Sequence, residues 1–130
     1  LQPGALVTFS SARYDSERPA RYDNTFIELA DERGDIVLHI AVRRRDRLIA
    51  FNDKVNGRYG QEEIIPLANM LSLENVTIEV MVQKTQFVIN VNDVTVKLFH
   101  RRTEGAPHAF TYNVTNNLPA FVGSLQVTVL

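Results

Sequence analysis

The chain has 130 residues, of which 45% are hydrophobic and 22% are charged, and its formal net charge is -1 at pH 7. This is the composition of a folded globular chain that is long enough for one hydrophobic core. The near-neutral charge argues against nucleic acid as a partner, the absence of cysteine excludes disulfides, and no apolar run approaches the ~18 residues of a membrane span, so we expect no membrane insertion.

Strand signals follow one another along almost the whole chain, and helix signals are nearly absent. Short segments alternate between apolar and polar residues, which is the period of a half-buried strand, and turn residues separate them. Asn56-Gly57 predicts a tight turn and Asn92-Asp93 predicts a hairpin, whereas residues 66–71 are expected to form one helical turn or an irregular connection. The predicted strands cover residues 5–11, 25–30, 36–43, 48–53, 76–83, 87–93, 94–100, 109–115 and 121–130.

This series of roughly ten short strands predicts an all-β fold, either a sandwich or a jelly roll. No repeat, linker or low-complexity segment interrupts it, so we expect a single domain over residues 1–130. Large aromatic side chains are the expected core residues, namely Phe9, Phe26, Phe87, Phe99 and Phe121.

The predicted strand at residues 36–43 carries polar side chains on one face. Every second residue from position 36 to position 42 is apolar and is expected to face the core. Because successive side chains of a strand point to opposite faces, His39, Ala41 and Arg43 then point away from that core. A histidine and an arginine on this second face are candidates for binding a ligand.

The segments that follow add polar groups to the same face. If the strand at residues 48–53 pairs antiparallel with the strand before it, Asn52 lies across from His39. Tyr59 and Glu62 lie beyond the Asn-Gly turn and would come from the next strand. The sequence therefore predicts a shallow polar groove on three adjacent strands, with one aromatic ring.

These groups suit a neutral, polyhydroxylated ligand. Arginine offers a planar fork of donors, an ionised glutamate only accepts, and histidine can do either. An aromatic ring packs against the C–H face of a pyranose. No nucleophile stands beside a base, no carboxylate pair indicates a glycosidase, and the three histidines lack metal-ligand spacing. We therefore expect a non-enzymatic binding protein that uses no cofactor and no metal.

Three short motifs lie in order along the predicted groove strands. They are His-Ile-Ala-Val-Arg at residues 39–43, Ala-Phe-Asn at residues 50–52 and Tyr-Gly-Gln-Glu-Glu-Ile at residues 59–64. They resemble the galectin family of β-galactoside-binding lectins, whose pattern is His-x-Asn-Pro-Arg, Val-x-Asn and Trp-Gly-x-Glu-x-Arg. The resemblance covers the whole chain, including the hairpin in FVINVNDVTVKLFHR. The first motif, with alanine at its third position, is similar to that of fungal fruiting-body galectins.

The resemblance implies a galectin-type jelly-roll sandwich of two antiparallel sheets, and it implies a role for each groove residue. His39 and Arg43 would bond the axial O4 of galactose, and Arg43 would also reach the ring oxygen. Asn52 and Glu62 would bond O6, and Glu62 would also bridge to Arg43. Tyr59 would occupy the position of the tryptophan that stacks on the sugar.

Three positions depart from the family pattern. Ala41 replaces an asparagine that contacts O4, Tyr59 replaces the tryptophan with a smaller ring, and Ile64 replaces an arginine that partners Glu62. The implied ligand is therefore a β-galactoside or a related N-acetylated oligosaccharide, including chitooligosaccharides. The alternative is a galectin-fold interaction module that has lost its sugar site and binds protein.

The resemblance implies that the partners are oligosaccharides of glycoproteins or glycolipids. It leaves homo-oligomer formation open, with the last strand as a candidate docking edge. The basic stretch at residues 43–47 and the pair Arg101 and Arg102 are expected to be solvated charges, not a nucleic-acid site. The first residues lack signal-peptide features, so the expected location is the cytoplasm, or the extracellular space after export without a signal peptide.

Overall fold

The computed structural model describes residues 1–115 and 118–130, and this part of the chain folds largely into β-strands. The nine predicted strand segments are confirmed, with small shifts at their ends. The strand expected to carry both Tyr59 and Glu62 is instead two short strands, and Glu62 lies in the connection between them. Residues 67–71 form a turn and irregular chain rather than a helical turn. The strands of the described residues are β1 (Leu6–Tyr14), β2 (Asn24–Ala30), β3 (Ile36–Arg43), β4 (Leu48–Val55), β5 (Arg58–Tyr59), β6 (Glu63–Pro66), β7 (Glu74–Val82), β8 (Gln86–Val91), β9 (Val94–His100), β10 (Ala109–Thr115) and β11 (Phe121–Val129).

One antiparallel sheet has five strands in the order β11-β1-β7-β8-β9. Asn92 and Asp93 connect β8 to β9, and their φ angles of 47° and 68° are those of a type I′ hairpin turn. The hairpin predicted from these two residues is therefore confirmed. The aromatic core residues of this sheet are all at most 2% exposed, as predicted, and they are Phe9, Phe87, Phe99 and Phe121.

The other antiparallel sheet runs in the order β10-β2-β3-β4-β5, and β6 pairs with β4 beside β5. Along β2, Thr25, Ile27 and Leu29 are buried, while Phe26 is only partly buried. The prediction that Phe26 belongs to the core is wrong. Phe26 pairs with Ala41, so the alternation of the strand turns its ring to the face that carries His39.

The strand β3 is buried on both faces. Leu38, Ile40 and Val42 are at most 3% exposed, which confirms the predicted core face. On the opposite face Ala41 is fully buried and His39 is only 4% exposed. Both faces of β3 are therefore shielded from solvent at these positions, and the shallow polar groove expected along this strand stays a prediction.

The basic stretch after β3 contains a buried ion pair. Arg44 Nε lies 2.9 Å from Asp23 Oδ2, and the two side chains are 3% and 0% exposed. Arg44 also donates from Nη2 to the carbonyl of Leu118, and the second oxygen of Asp23 accepts from the backbone of Arg45. The expectation that this stretch is wholly solvated is wrong for Arg44, because its guanidinium is hydrogen-bonded to Asp23, just before β2, and to Leu118, between β10 and β11.

The chain divides into two compact units, each of which contains one sheet. The first consists of Leu1–Ser16, Asn69–Arg101 and Phe121–Leu130, and the second consists of Glu17–Ala68 and Arg102–Ala120. Neither unit is a continuous stretch of chain. The expectation of a single domain stays a prediction.

Candidate functional site

All five predicted site residues line one cavity of about 320 Å³ on the six-stranded sheet. β3 contributes two of them, β4 and β5 contribute one each, and the last precedes β6. His39 lies directly opposite Asn52 in the pairing of β3 with β4, as predicted. The cavity is lined by the five, His39, Arg43, Asn52, Tyr59 and Glu62, and by two residues that were not predicted, Tyr22 and Asn24.

His39 is held by a carboxylate and by two aromatic rings. Its Nδ1 lies 2.7 Å from Glu28 Oε2, so a hydrogen on Nδ1 is donated to Glu28 and Nε2 stays available as an acceptor in the neutral ring. The imidazole lies 5.0 Å from the Phe26 ring and 5.4 Å from the Tyr59 ring, measured between centroids. Burial lowers the pKa of His39, and the nearby Glu28 carboxylate offsets only part of that effect.

Arg43 and Glu62 form an ion pair at the wall of the cavity. Arg43 Nη2 lies 2.7 Å from Glu62 Oε1, and the side chains are 18% and 32% exposed. Burial by itself lowers the pKa of Arg43, but the hydrogen bond and charge of Glu62 outweigh it, so the pKa is raised and the guanidinium stays charged. Arg43 Nε is buried and has no hydrogen-bond partner among the described residues. The hydrogen-bonding capacity of this donor is therefore not used by the described part of the protein.

The side-chain amide of Asn52, which lines the cavity, is held by hydrogen bonds at both of its ends. Its Oδ1 accepts from the backbone of Asp53 at 2.9 Å and from Arg102 Nη1 at 3.0 Å. Its Nδ2 donates to the carbonyl of Gly60 at 3.0 Å. An amide nitrogen has two hydrogens, so the second remains for a ligand acceptor.

Tyr59 is placed by the turn that the sequence predicted. Asn56 and Gly57 have φ angles of 53° and 78°, which match a type I′ turn, and β5 then returns along β4 with Tyr59 opposite Lys54. Lys54 Nζ lies 4.9 Å from the centre of the Tyr59 ring. The residue is 52% exposed, so much of the ring is open to a ligand. Partial burial raises the pKa of the Tyr59 phenol, which keeps it protonated at neutral pH.

Three residues of the site were missed by the sequence reasoning. Glu28 lies opposite His39 in the pairing of β2 with β3, and this register was not predicted. Asn24, at the start of β2, has a buried Oδ1 without a hydrogen-bond partner among the described residues. Tyr22 precedes β2 and is 41% exposed. Positions 24 and 28 lie on the same face of β2 and are both polar, which was a signal in the sequence. Only the pairing of β2 with β3 places that face beside His39.

The positions that depart from the galectin pattern have different surroundings. Ala41 is fully buried at the floor of the sheet and pairs with Phe26 on one side and Ala50 on the other. Ile64 lies on β6 and is 53% exposed. The first replacement therefore removes a polar group from the floor, and the second leaves an apolar group at the surface.

The comparison with known proteins follows this geometry. The model of the family described as galactoside-binding lectin matches residues 1–117. The chain belongs to the galectin family. It is 33% identical over 119 residues to Galectin-2 of Coprinopsis cinerea, an alignment that covers 91% of this chain and 77% of that protein. It is 29% identical over 115 residues to Galectin-1 of the same fungus, covering 88% and 74%.

Solved galectin structures share the fold at low sequence identity. Sheep galectin-11 in complex with glycerol superposes with a TM-score of 0.75 at 12% identity, covering 98% of this chain and 92% of that one. A doubly substituted human galectin-16 superposes with a TM-score of 0.73 at 17% identity, covering 98% and 89%. The predicted fold class, a galectin-type all-β sandwich of two antiparallel sheets, is confirmed.

Family membership also confirms two further predictions. The relatives are fungal galectins, as the first motif indicated, and galectins are carbohydrate-binding lectins rather than enzymes. The part of the chain that the structure describes contains no helix with the length and apolar character needed to cross a membrane. The roles of the individual groove residues stay predictions.

Proposed function

We propose that the cavity binds β-galactosides or related N-acetylated oligosaccharides through His39, Arg43, Asn52, Tyr59 and Glu62. The observation that carries the proposal is their convergence, because residues from separate chain segments line one cavity with an exposed ring at its wall. A sugar offers the same combination of hydroxyl groups and an apolar C–H face.

The unpartnered polar atoms of the cavity support a ligand that both donates and accepts hydrogen bonds. Arg43 Nε is a buried donor and Asn24 Oδ1 is a buried acceptor, and neither has a partner among the described residues. A buried polar group without a partner costs about 1–3 kcal/mol, so a ligand that satisfies both gains affinity. Hydroxyl groups serve either atom, whereas a purely anionic ligand would serve only the arginine.

The electrostatics of the cavity favour a neutral ligand. Glu62 offsets the charge of Arg43 at 2.7 Å, and Glu28 lies against His39 at the same distance. Within the cavity an anion would meet the carboxylate of Glu62, and a cation would meet the guanidinium of Arg43. We therefore expect selection of the ligand by hydroxyl geometry rather than by charge.

Family membership in the galactoside-binding lectins supports glycans of glycoproteins or glycolipids as the natural targets. A single site of this kind binds weakly, and homo-oligomers would add avidity. β11 lies at the end of its sheet and offers the edge expected for such an assembly. The expected compartment, the cytoplasm or the extracellular space, stays a prediction.

Titration calorimetry tests the proposal with lactose, N-acetyllactosamine and N,N′-diacetylchitobiose. We expect at least one of them to bind the wild-type protein. We expect Arg43→Ala to weaken that binding by roughly tenfold to a hundredfold, because a hydrogen bond to a charged group is lost. Arg45→Ala is the matched control, since Arg45 is an exposed arginine two positions away. Absence of binding at millimolar sugar, or equal losses in both variants, would overturn the proposal and favour the protein-binding alternative.

A further inference from the structure

Arg102 does not line the cavity and was expected to be a solvated surface charge. The residue is exposed, as expected, but its guanidinium is hydrogen-bonded to several neighbouring groups. Nη1 donates to Asn52 Oδ1 at 3.0 Å and to Asp53 Oδ1 at 2.9 Å. Nη2 donates to Glu63 Oε2 at 2.7 Å and to the carbonyl of Gln61. One guanidinium therefore connects β4 with the chain from the β5–β6 connection to the first residue of β6.

The bond to Asn52 determines which end of that amide a ligand meets. The two ends of an asparagine side chain are opposite in hydrogen-bonding character, since the oxygen accepts and the nitrogen donates. Arg102 and the backbone of Asp53 both donate to Oδ1, and the opposite orientation would bring the NH2 group against these two donors. The amide is thereby held with its NH2 group away from these two donors, and only one of the two Nδ2 hydrogens is used by the described residues, in the bond to the carbonyl of Gly60.

Two further hydrogen bonds of Arg102 hold the residues on either side of Glu62. Arg102 holds the carbonyl of Gln61 and the carboxylate of Glu63, which are the residues immediately before and after Glu62. Glu62 in turn lies 2.7 Å from Arg43. The position of the Arg43–Glu62 ion pair therefore depends on a residue that does not line the cavity.

The chain passes so close to this guanidinium that a side chain at position 60 has no space. A Cβ atom on Gly60 would overlap Asp53 Oδ1 and lie 2.9 Å from Arg102 Nη1. Burial alone lowers the pKa of Arg102, but hydrogen bonds to Glu63 and Asp53 outweigh it and raise the pKa, so the guanidinium stays charged. The close approach and the charge both favour a fixed arrangement.

We propose that Arg102 is a positioning residue of the groove, which fixes Asn52 as a hydrogen-bond donor toward the ligand and anchors the segment that carries Glu62. The effect on sugar binding rests on the function proposed above, whereas the effect on the Asn52 amide does not.

The first test is NMR of the side-chain amide of Asn52 in the sugar-free protein. We expect Arg102→Met to shift the two amide hydrogens toward the values of a free asparagine and to speed their exchange with water. Arg101→Met is the matched control, because Arg101 instead bonds to the carbonyl of Gln83 and lies over the Phe87 ring. Unchanged Asn52 resonances in Arg102→Met would overturn the proposal.

The second test is a double-variant cycle with the sugar that binds the wild type. We expect Arg102→Met to weaken binding by about tenfold, as expected for losing the orientation of one charged hydrogen-bond network. In the Asn52→Ala background the same substitution should have a clearly smaller effect. Fully additive losses would overturn the positioning role.

Arg102→Lys keeps the proposal testable if the methionine variant does not fold. Lysine retains the charge but is a point donor that cannot span the four acceptors, so we expect an intermediate loss of affinity and a partial shift of the Asn52 resonances. Wild-type behaviour of Arg102→Lys in both measurements would contradict the proposal. If the wild-type protein binds none of the sugars, the proposed function fails, and the Asn52 resonances still decide the role of Arg102.

Discussion

Two consecutive arginines, Arg43 and Arg44, have different surroundings at the end of β3. Arg44 is paired with Asp23 at 2.9 Å, and both side chains are almost completely buried. Arg43 is paired with Glu62 at 2.7 Å, but both side chains are partly exposed and one donor of Arg43 has no partner among the described residues. The same residue type is therefore almost completely buried in one ion pair and only partly buried at the cavity in the other, which is consistent with a structural role for Arg44 and with the proposed ligand contact of Arg43.

The largest expected effect is on stability, at the Arg44–Asp23 pair. Arg44→Met leaves the Asp23 carboxylate buried without its partner, so we expect a loss of about 3–5 kcal/mol in the free energy of unfolding. Urea denaturation measures it. The double variant Asp23→Leu with Arg44→Met should recover much of the loss, because no charge then remains buried. A loss below about 1 kcal/mol would be as small as that of most surface substitutions and would show that Arg44 is solvated.

The corresponding substitution at the other arginine, Arg43→Ala, should affect sugar affinity rather than stability. Its ion pair is partly exposed, and pairs of that kind contribute about 0–1 kcal/mol to stability. We therefore expect the urea midpoint to change little while sugar affinity falls, as calorimetry on the same sample would show. A loss of stability as large as that of Arg44→Met would mean that Arg43 serves the fold.

A smaller effect is expected at the exposed ring of the groove. Tyr59→Trp enlarges the stacking surface, and aromatic contacts are worth about 0.5–1.5 kcal/mol beyond burial, so affinity should rise by about two- to tenfold. Tyr59→Ala should lower it by a similar factor. Calorimetry with the bound sugar checks both variants, and an unchanged affinity in Tyr59→Ala would show that the ring does not touch the ligand.

The smallest expected effect is a pH dependence from His39. Its pKa in the folded protein is lowered, chiefly by burial, below the ordinary value of about 6.5. As pH falls, His39 is therefore protonated at a higher pH in the unfolded chain than in the folded protein. The contribution of His39 to stability is present above pH ~6.5 and is lost as pH falls from there through the lowered pKa. Urea denaturation at several pH values measures this loss.

Glu28→Gln tests the contact between Glu28 and His39. Removing the carboxylate takes away a group that raises the pKa of His39, so NMR titration should show that pKa lower than in the wild type. An unchanged His39 titration in Glu28→Gln would contradict the contact between Nδ1 and the carboxylate. The exposed Glu32→Gln, in the turn after β2, is the matched control.

Much of the groove was predictable because its residues lie on strands with a clear period. Alternation places His39 and Arg43 on one face of β3, and the antiparallel return places Asn52 opposite His39. The turn at Asn56-Gly57 then brings Tyr59 back along β4. Each of these steps is local, so a single sequence contains the information.

Phe26 and Arg102 show where local reasoning fails. Phe26 looked like a core residue by its hydrophobicity, but its ring lies 5.0 Å from His39 on the groove face. Arg102 looked like a surface charge, but it contacts residues about 40–50 positions away in the sequence. Both depend on the pairing of strands that are distant along the chain.

The amino-acid sequence by itself determined the all-β class, the order of the strands along the chain, the two Asn-containing turns and the five candidate groove residues, because strand periodicity and turn chemistry act over a few neighbouring residues. Only the tertiary structure decided that His39 is buried against Glu28, that Arg44 is buried against Asp23 while Arg43 lines the cavity, and that Arg102 is hydrogen-bonded to Asn52. Burial and charge pairing are set by residues far apart in the sequence, and they become defined only when the strands have paired.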